Sequence, residues 1–321
     1  MKYTKIKLLI IISLPTFVII LLVAEIALRI WWGDRPSCIP GATSNAWFKK
    51  YVHGNALSFR GPLPSYDKPQ GTFRIVAIGD SITFGKGIEK EEDRFPEQLA
   101  AMISNSFKIH AEAINMGFPT RNTIDEYFTL RNKGLLFHPD LVVLGYCYND
   151  PETHEQGEEA VKSIEIPVYF RFLLAKSYLA SFLIYSIKQK ELDQCVNNYY
   201  HLINAPDAPN ILGFRKALKG IANLSHEANA DFAVVVFPIL FKLDKEPYEF
   251  QDAENFILNE LKSLDILYAD ILPLLKGGDE RKYWVSQFDS HPNEGVHALA
   301  ARELFKIVAP LAKQRVSSDK K

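Results

Sequence analysis

Cysteine is scarce: Cys38, Cys147 and Cys195 are the only three in 321 residues. They show no metal-ligand spacing and are too few for a disulfide framework, so at most one intramolecular pair can form. An excess of either charge is also missing. Lys and Arg total 37 against 38 Asp and Glu, for a formal net charge of -1. No basic block stands out, which argues against a nucleic-acid partner. The histidines and acids form no H-E-x-x-H, and the strongest strand-to-turn stretch supplies neither G-x-G-x-x-G nor G-x-x-x-x-G-K-[ST]. A metal site and a dinucleotide or phosphate loop are therefore not expected, and no cofactor is implied.

Long apolar runs are limited to one. Lys2, Lys5 and Lys7 precede Leu8 to Ala24, which holds no charged residue, and Ile26, Ala27 and Leu28 extend the run past Glu25. From Leu8 to Leu28 is 21 residues, enough for a helix to cross a hydrocarbon core about 30 Å thick. Trp31 and Trp32 suit the far interface, and the lysines favour an inside N-terminus. The run is longer than a signal-peptide h-region and no A-x-A site closes it. The expectation is a single-pass cell-membrane anchor at 8–32, a cytoplasmic tail at 1–7 and an extracytoplasmic remainder. Glu25 lies near the end of the span, where its charge can reach the interface. Residues 33–70 are rich in Pro and Gly and read as a connector. Asn55 to Gly61 forms a compact stretch suited to pack against the domain.

The rest of the chain is organised around Phe73 to Gly85, F-R-I-V-A-I-G-D-S-I-T-F-G. Ile75 to Ile78 is continuously apolar, as in a strand buried on both faces. The strand breaks at Gly79-Asp80-Ser81. Further strands are expected at Lys108–Asn115, Leu141–Gly145, Phe232–Phe237 and, more weakly, Leu264–Ile271. Helical segments alternate with them: Asp93–Ser104, Thr123–Leu135, Gly213–Ala228, Asp252–Ser263 and Gly295–Ala312. This alternation predicts an α/β fold with a mainly parallel sheet between helical layers, an α/β/α sandwich. The domain is expected over 71–315, with a polar tail at 316–321.

The rhythm breaks at 151–212, which reads as a helical insertion. Ile166 to Ile187 has the character of an amphipathic helix, and Glu191 to Asn210 reads as loop-rich. Three roles are open for it: packing on the core, a lid or acceptor-binding cap, or a surface lying against the membrane.

Four short blocks follow in order: Gly79-Asp80-Ser81, Asn115-Met116-Gly117, Gly145-Tyr146-Cys147-Tyr148-Asn149-Asp150, and Asp289-Ser290-His291-Pro292-Asn293. With them the chain resembles the SGNH family, also called GDSL hydrolases, in a membrane-anchored form. The resemblance spans Gly71 to Leu311. It implies a flavodoxin-like α/β fold, Ser81 as nucleophile, His291 as base, and Asp289 as the acid that orients it. It also implies an oxyanion hole made of the Ser81 N–H, the Gly117 N–H and the Asn149 side-chain amide. The commonest family pattern places the acid three residues before the histidine. Here position 288 is Phe and the acid stands two before. His297 is the nearest rival base, but it falls in the terminal helix, where packing is the simpler role.

The implied chemistry is ester hydrolysis through an acyl-enzyme, on an acylated cell-envelope carbohydrate, a lipid or a small ester. An O-acyltransferase acting on a polysaccharide is the alternative within the same chemistry. A catalytically inactive carbohydrate-binding or assembly protein is the alternative outside it. Nothing in the sequence identifies a protein partner.

Overall fold

The computed structural model describes residues 2–37, 41–63, 65–156, 168–205 and 207–318. Five strands form one parallel sheet: β1 (Thr72–Gly79), β2 (His110–Asn115), β3 (Leu141–Cys147), β4 (Asp231–Phe237) and β5 (Leu267–Asp270). Their spatial order is β2-β1-β3-β4-β5, and every neighbouring pair is parallel. This is the doubly wound order in which the chain reverses direction across the sheet between β1 and β3. All eight residues of β1 and all seven of β3 are buried. That is why both read as unbroken apolar runs rather than alternating ones.

Helices cover the sheet in two groups. Phe95–Phe107 packs with Glu294–Ser318, while Thr123–Asn132 packs with Ile211–Glu227. The helix Ile211–Glu227 buries Ile211, Phe214, Ala217, Leu218, Ile221 and Ser225. Those positions recur at three- and four-residue intervals, the spacing of one helix face. Glu294–Ser318 buries Val296, Ala300, Leu304, Val308 and Ala312 in the same way. It continues into the expected polar tail as far as Ser318; residues 319–321 lie outside the described residues.

Four expectations are revised. The late segment that holds Asp289 to Pro292, where no strand was expected, is a two-stranded antiparallel hairpin of β6 (Trp284–Ser286) and β7 (Asp289–Pro292). The 33–70 stretch contains a helix, Ala42–Tyr51, whose Trp47 is fully buried. The single insertion helix is two helices, Val168–Leu174 and Tyr178–Ile203, broken at 175–177, and 157–167 lie outside the described residues. The second of them carries Glu191 to Ile203, read from sequence as loop. Its start is fixed by the Ser177 side chain, whose oxygen accepts from the Ala180 N–H. Tertiary contacts hold these segments, and a periodicity reading has no access to them.

The N-terminal helix runs from Lys2 to Trp32 and includes Pro15. Within it, Ile11–Trp32 is long and apolar enough to cross a membrane. Its last turn meets the rest of the protein through Trp32, which packs in a small cluster with Ala42, Tyr178, Tyr185 and Phe288.

Within 55–61, Phe59 and Arg60 are buried against the domain while Ala56 and Ser58 are exposed. The buried Arg60 guanidinium donates to Gly85 O at 2.9 Å, Ile88 O at 2.8 Å, Glu89 O at 3.0 Å and Tyr51 O at 3.2 Å. It thereby braces the turn that follows Ser81. Arg60→Ala strands these four carbonyls, each at a cost of about 1 kcal/mol, so a loss of about 4 kcal/mol is expected. Arg60→Lys recovers only part of it, because an ammonium cannot span the same fork. Urea unfolding of both variants in detergent checks this, and equal midpoints for wild type and Arg60→Ala would refute it.

Candidate active site

Ser81 lies at the C-terminal end of β1, on the edge of the sheet where open α/β folds bind ligands. Gly79 makes the exit from the strand possible. Its φ is +156°, and a Cβ there would sit 2.0 Å from Thr83 Oγ1 and 3.0 Å from Gly145 O. Asp80 then caps the short helix Ser81–Phe84, accepting from the Ile82 N–H at 2.7 Å. Ser81 is therefore the first residue of a helix, held by a buried cap. Its own N–H makes no hydrogen bond among the described residues.

The hairpin brings the histidine to this edge. Ser81 Oγ and His291 Nε2 are 2.9 Å apart. His291 Nδ1 meets Asp289 Oδ1 at 2.5 Å, and the His291 backbone N–H donates to the same oxygen at 3.1 Å. The two-residue spacing now has a physical basis. In a strand, side chains at i and i+2 point to the same face, so β7 presents Asp289 and His291 side by side. A carboxylate only accepts, so the Nδ1 carries the proton and Nε2 is left to accept from the Ser81 hydroxyl.

Asp289 is 0% exposed. Burial alone would raise its pKa, but the Lys86 ammonium, then His291 and the hydrogen bonds from it, hold the carboxyl well below its usual range. Lys86 Nζ lies 3.5 Å from Asp289 Oδ2. Nothing in the sequence singled out Lys86; it comes one residue after the Ser81–Phe84 helix ends at Gly85, and only the fold aims it at the hairpin. The terminal helix begins just past the histidine, capped by Asn293 Oδ1, which accepts from the Val296 N–H at 3.2 Å.

The three expected oxyanion donors do not stand alike. Asn149 Nδ2 donates to Asp80 Oδ2 at 3.2 Å, which leaves its second hydrogen without a partner among the described residues. The Gly117 N–H is engaged by Asn115 Oδ1 at 3.0 Å, and Asn115 Nδ2 donates in turn to Thr83 O at 2.7 Å. Gly117 packs against the Ser81–Phe84 helix so closely that a Cβ would sit 2.3 Å from Phe84 N. Asn115 was quoted in the sequence pattern without a role, and here it ties the loop after β2 to the loop after β1. His297 stays apart. It is buried, stacks on Phe95, and its Nδ1 accepts from the Phe95 N–H at 3.2 Å. Burial, and then the Arg94 charge, pushes it down to about 3.

Buried acids underlie the loop that carries Asn149. Burial, followed by the charges of its neighbours, raises Glu126 and Asp150 well above the ordinary carboxyl range. Glu152 is pushed up to about 8 by burial and then by Asp80 and Asp125. Glu254, which accepts from the Tyr148 hydroxyl, is pushed up to about 9 by burial first and by Asp270.

A profile of the GDSL-like lipase/acylhydrolase family matches residues 77–299. No curated protein matches the sequence. Among solved structures, a two-domain esterase active on acetylated mannans is 14% identical with a TM-score of 0.47, over 75% of this chain and 49% of that one. The chain thus spans about half the length of that esterase. A lipase from a goat rumen metagenome is 15% identical with a TM-score of 0.47, over 73% of this chain and 97% of that one. A mutant of an acetyl-xylooligosaccharide esterase from Geobacillus is 12% identical with a TM-score of 0.47, over 74% of this chain and 94% of that one.

The raised acids set a pH dependence for stability. A carboxyl whose folded-state pKa is raised binds its proton more tightly when folded. Its contribution is complete below the ordinary value of 4.5 and is lost as pH rises through about 8 for Glu152 and about 9 for Glu254. The urea midpoint is therefore expected to fall between pH 5 and pH 9, using those same values. Glu152→Gln and Glu254→Gln should flatten the fall, and an unchanged slope in both variants counts against this origin.

Proposed function

The chain belongs to the GDSL-like lipase/acylhydrolase family, and from that premise we propose that it is a serine-dependent ester hydrolase working through an acyl-enzyme. The observation that carries the reading is the hydrogen-bonded series Ser81 Oγ, His291 Nε2, His291 Nδ1 and Asp289 Oδ1. In this reading Ser81 Oγ attacks the ester carbonyl carbon while its proton passes to His291 Nε2. Asp289, kept ionised by Lys86, holds the imidazole in its tautomer and stabilises the imidazolium. The tetrahedral intermediate collapses, the imidazolium gives its proton to the departing alcohol oxygen, and the acyl group stays on Ser81. Water, deprotonated by the same imidazole, then attacks the acyl carbonyl and releases the acid.

The oxyanion would be met by the Ser81 N–H and the free hydrogen of the Asn149 amide. Gly117 joins them by sharing its N–H between Asn115 and the substrate oxygen. All three are neutral amide donors, which suit a charge that develops only in the transition state.

The proposed substrate is an acyl ester of the cell envelope, a glycan or a lipid. This follows from reading Ile11–Trp32 as an anchor, with the three N-terminal lysines on the cytoplasmic side and the hydrolase domain outside. Transfer of the acyl group to a polysaccharide hydroxyl would use the same acyl-enzyme with the acceptor in place of water.

The test uses the full chain in detergent with p-nitrophenyl acetate and butyrate. Nitrophenol release and labelling by a fluorophosphonate probe are expected, with both abolished in Ser81→Ala. Asn149→Ala is expected to lower kcat by about 10²–10³, and Asp289→Asn by up to about 10⁴. Turnover that survives Ser81→Ala would sink the proposal. With an added soluble glycan, free acid as the sole product supports hydrolysis, and acyl groups on the glycan favour transfer.

A further inference from the structure

Glu25 is the one acid inside the apolar helix Ile11–Trp32. The sequence reading sends its charge outward to the interface. The structure turns it to the insertion instead. Its carboxylate accepts from Ser177 Oγ at 2.8 Å, the Tyr178 N–H at 3.0 Å and the Leu179 N–H at 2.9 Å. Arg29 Nε donates to it from one turn away at 2.8 Å, and Arg29 Nη2 donates to Lys176 O at 2.8 Å. One side chain of the apolar helix thus caps the insertion helix Tyr178–Ile203, with its charge complementing the positive helix end.

These bonds fix a depth. Glu25 lies seven residues before Trp32, so at 1.5 Å per residue it sits about 10 Å short of the end of the apolar run. Whatever bonds to Glu25 lies at that level. The next contact along the insertion follows the same direction, with Phe182 meeting Trp31 edge-on at 6.4 Å between ring centres. The insertion therefore rises alongside the last turns of the N-terminal helix from 177–179, while just before it Lys176 O meets Arg29 and Ala175 O accepts from Asn45 Nδ2 at 3.3 Å. The helix that leads into the bend at 175–177 exposes apolar side chains beside these contacts: Phe172 is 69% exposed and Leu173 46%. Lys176 lies 4.6 Å over the Phe172 ring. Exposed apolar side chains flanked by a basic one are the pattern of a segment resting in the interface of a bilayer.

We propose that the insertion tip, residues 171–179, is a wedge seated in the headgroup and acyl boundary of the membrane beside the anchor. This rests on reading Ile11–Trp32 as a membrane span. It gives Glu25 an assigned role: the wedge supplies the hydrogen bonds that an acid at that depth requires, because lipid supplies none. It also completes the cap that Ser177 begins, since the Tyr178 and Leu179 N–H groups donate to a side chain of the anchor. The same contacts lead to the proposed active site. Trp32 and Tyr185 pack on Phe288, the residue before Asp289, with ring centres 4.0 and 4.9 Å away. The wedge and the catalytic hairpin are thus seated on one helix end.

The experiment is site-specific photocrosslinking of the full chain in vesicles of phosphatidylcholine and phosphatidylglycerol that contain alkyne-tailed phosphatidylcholine. Phe172→p-benzoylphenylalanine and Leu173→p-benzoylphenylalanine are compared with the same replacement at Ile19, inside the apolar helix, and at the exposed Leu136, at the opposite edge of the sheet. Lipid adducts are expected at 172 and 173 at a yield comparable to Ile19, with none above background at Leu136. Adducts at Ile19 alone would overturn the wedge while leaving the anchor intact. Adducts to protein rather than lipid at 172 and 173 would overturn it in favour of a lid or a partner surface. No adduct at any position would remove the anchor reading and the wedge with it. None of these readouts depends on Ser81 chemistry, so they stand apart from the activity test.

Discussion

The 2.9 Å contact between Ser81 and His291 joins residues 210 positions apart, and most of the fold bears on holding it. Ser81 is placed by a strand buried over its whole length, a glycine exit and a capped helix start. His291 is placed by a short hairpin outside the main sheet. A strand buried on both faces has no room for polar groups along its length, so they gather where strands end. β1 and β3 flank the point where the chain reverses direction across the sheet, and the loops after them carry Ser81 and Asn149. The buried Asp80 carboxylate connects the two, capping the Ser81 helix on one side and accepting from Asn149 on the other.

The hairpin depends on elements far from it in sequence. Ser286 Oγ donates to Pro36 O at 2.7 Å, and Trp284 Nε1 donates to Leu240 O at 2.7 Å. Phe288 is enclosed by Trp31, Trp32, Phe182 and Tyr185. The end of the apolar helix, the insertion and the segment before β1 therefore meet at the residue next to Asp289. Arg60 makes a similar tie to the turn after Ser81. These segments brace the edge that carries Ser81 and His291 directly, which gives the insertion a structural consequence beyond its length.

The buried acids show a different constraint. Asp289 is held well below the usual carboxyl range by Lys86 and His291 despite its burial, whereas burial and then the charges of neighbouring acids push Glu126 and Asp150 well above it. Carboxyl groups at one end of the sheet are thus shifted in opposite directions. The one shifted down is the acid that contacts the histidine.

The sequence by itself determined the sheet and the proposed nucleophile. The apolar runs of β1, β3 and β4, the helix spacing of Ile211–Glu227, and the Gly79-Asp80-Ser81 break are local patterns, and burial on one or both faces writes them directly into residue order. The histidine and its acid were legible as a block, but their geometry was not. Two-residue spacing becomes meaningful only once 289–292 is known to be a strand, and three or four residues of hairpin carry too little pattern to declare it. Lys86, Asn115, Arg60 and the Glu25 contacts were invisible for the same reason. A hydrogen bond or ion pair between distant residues leaves no period in the sequence, because its partner is chosen by the way the chain returns in space. Tertiary structure alone decided those pairings, and with them which acid is shifted down and which end of the insertion meets the apolar helix.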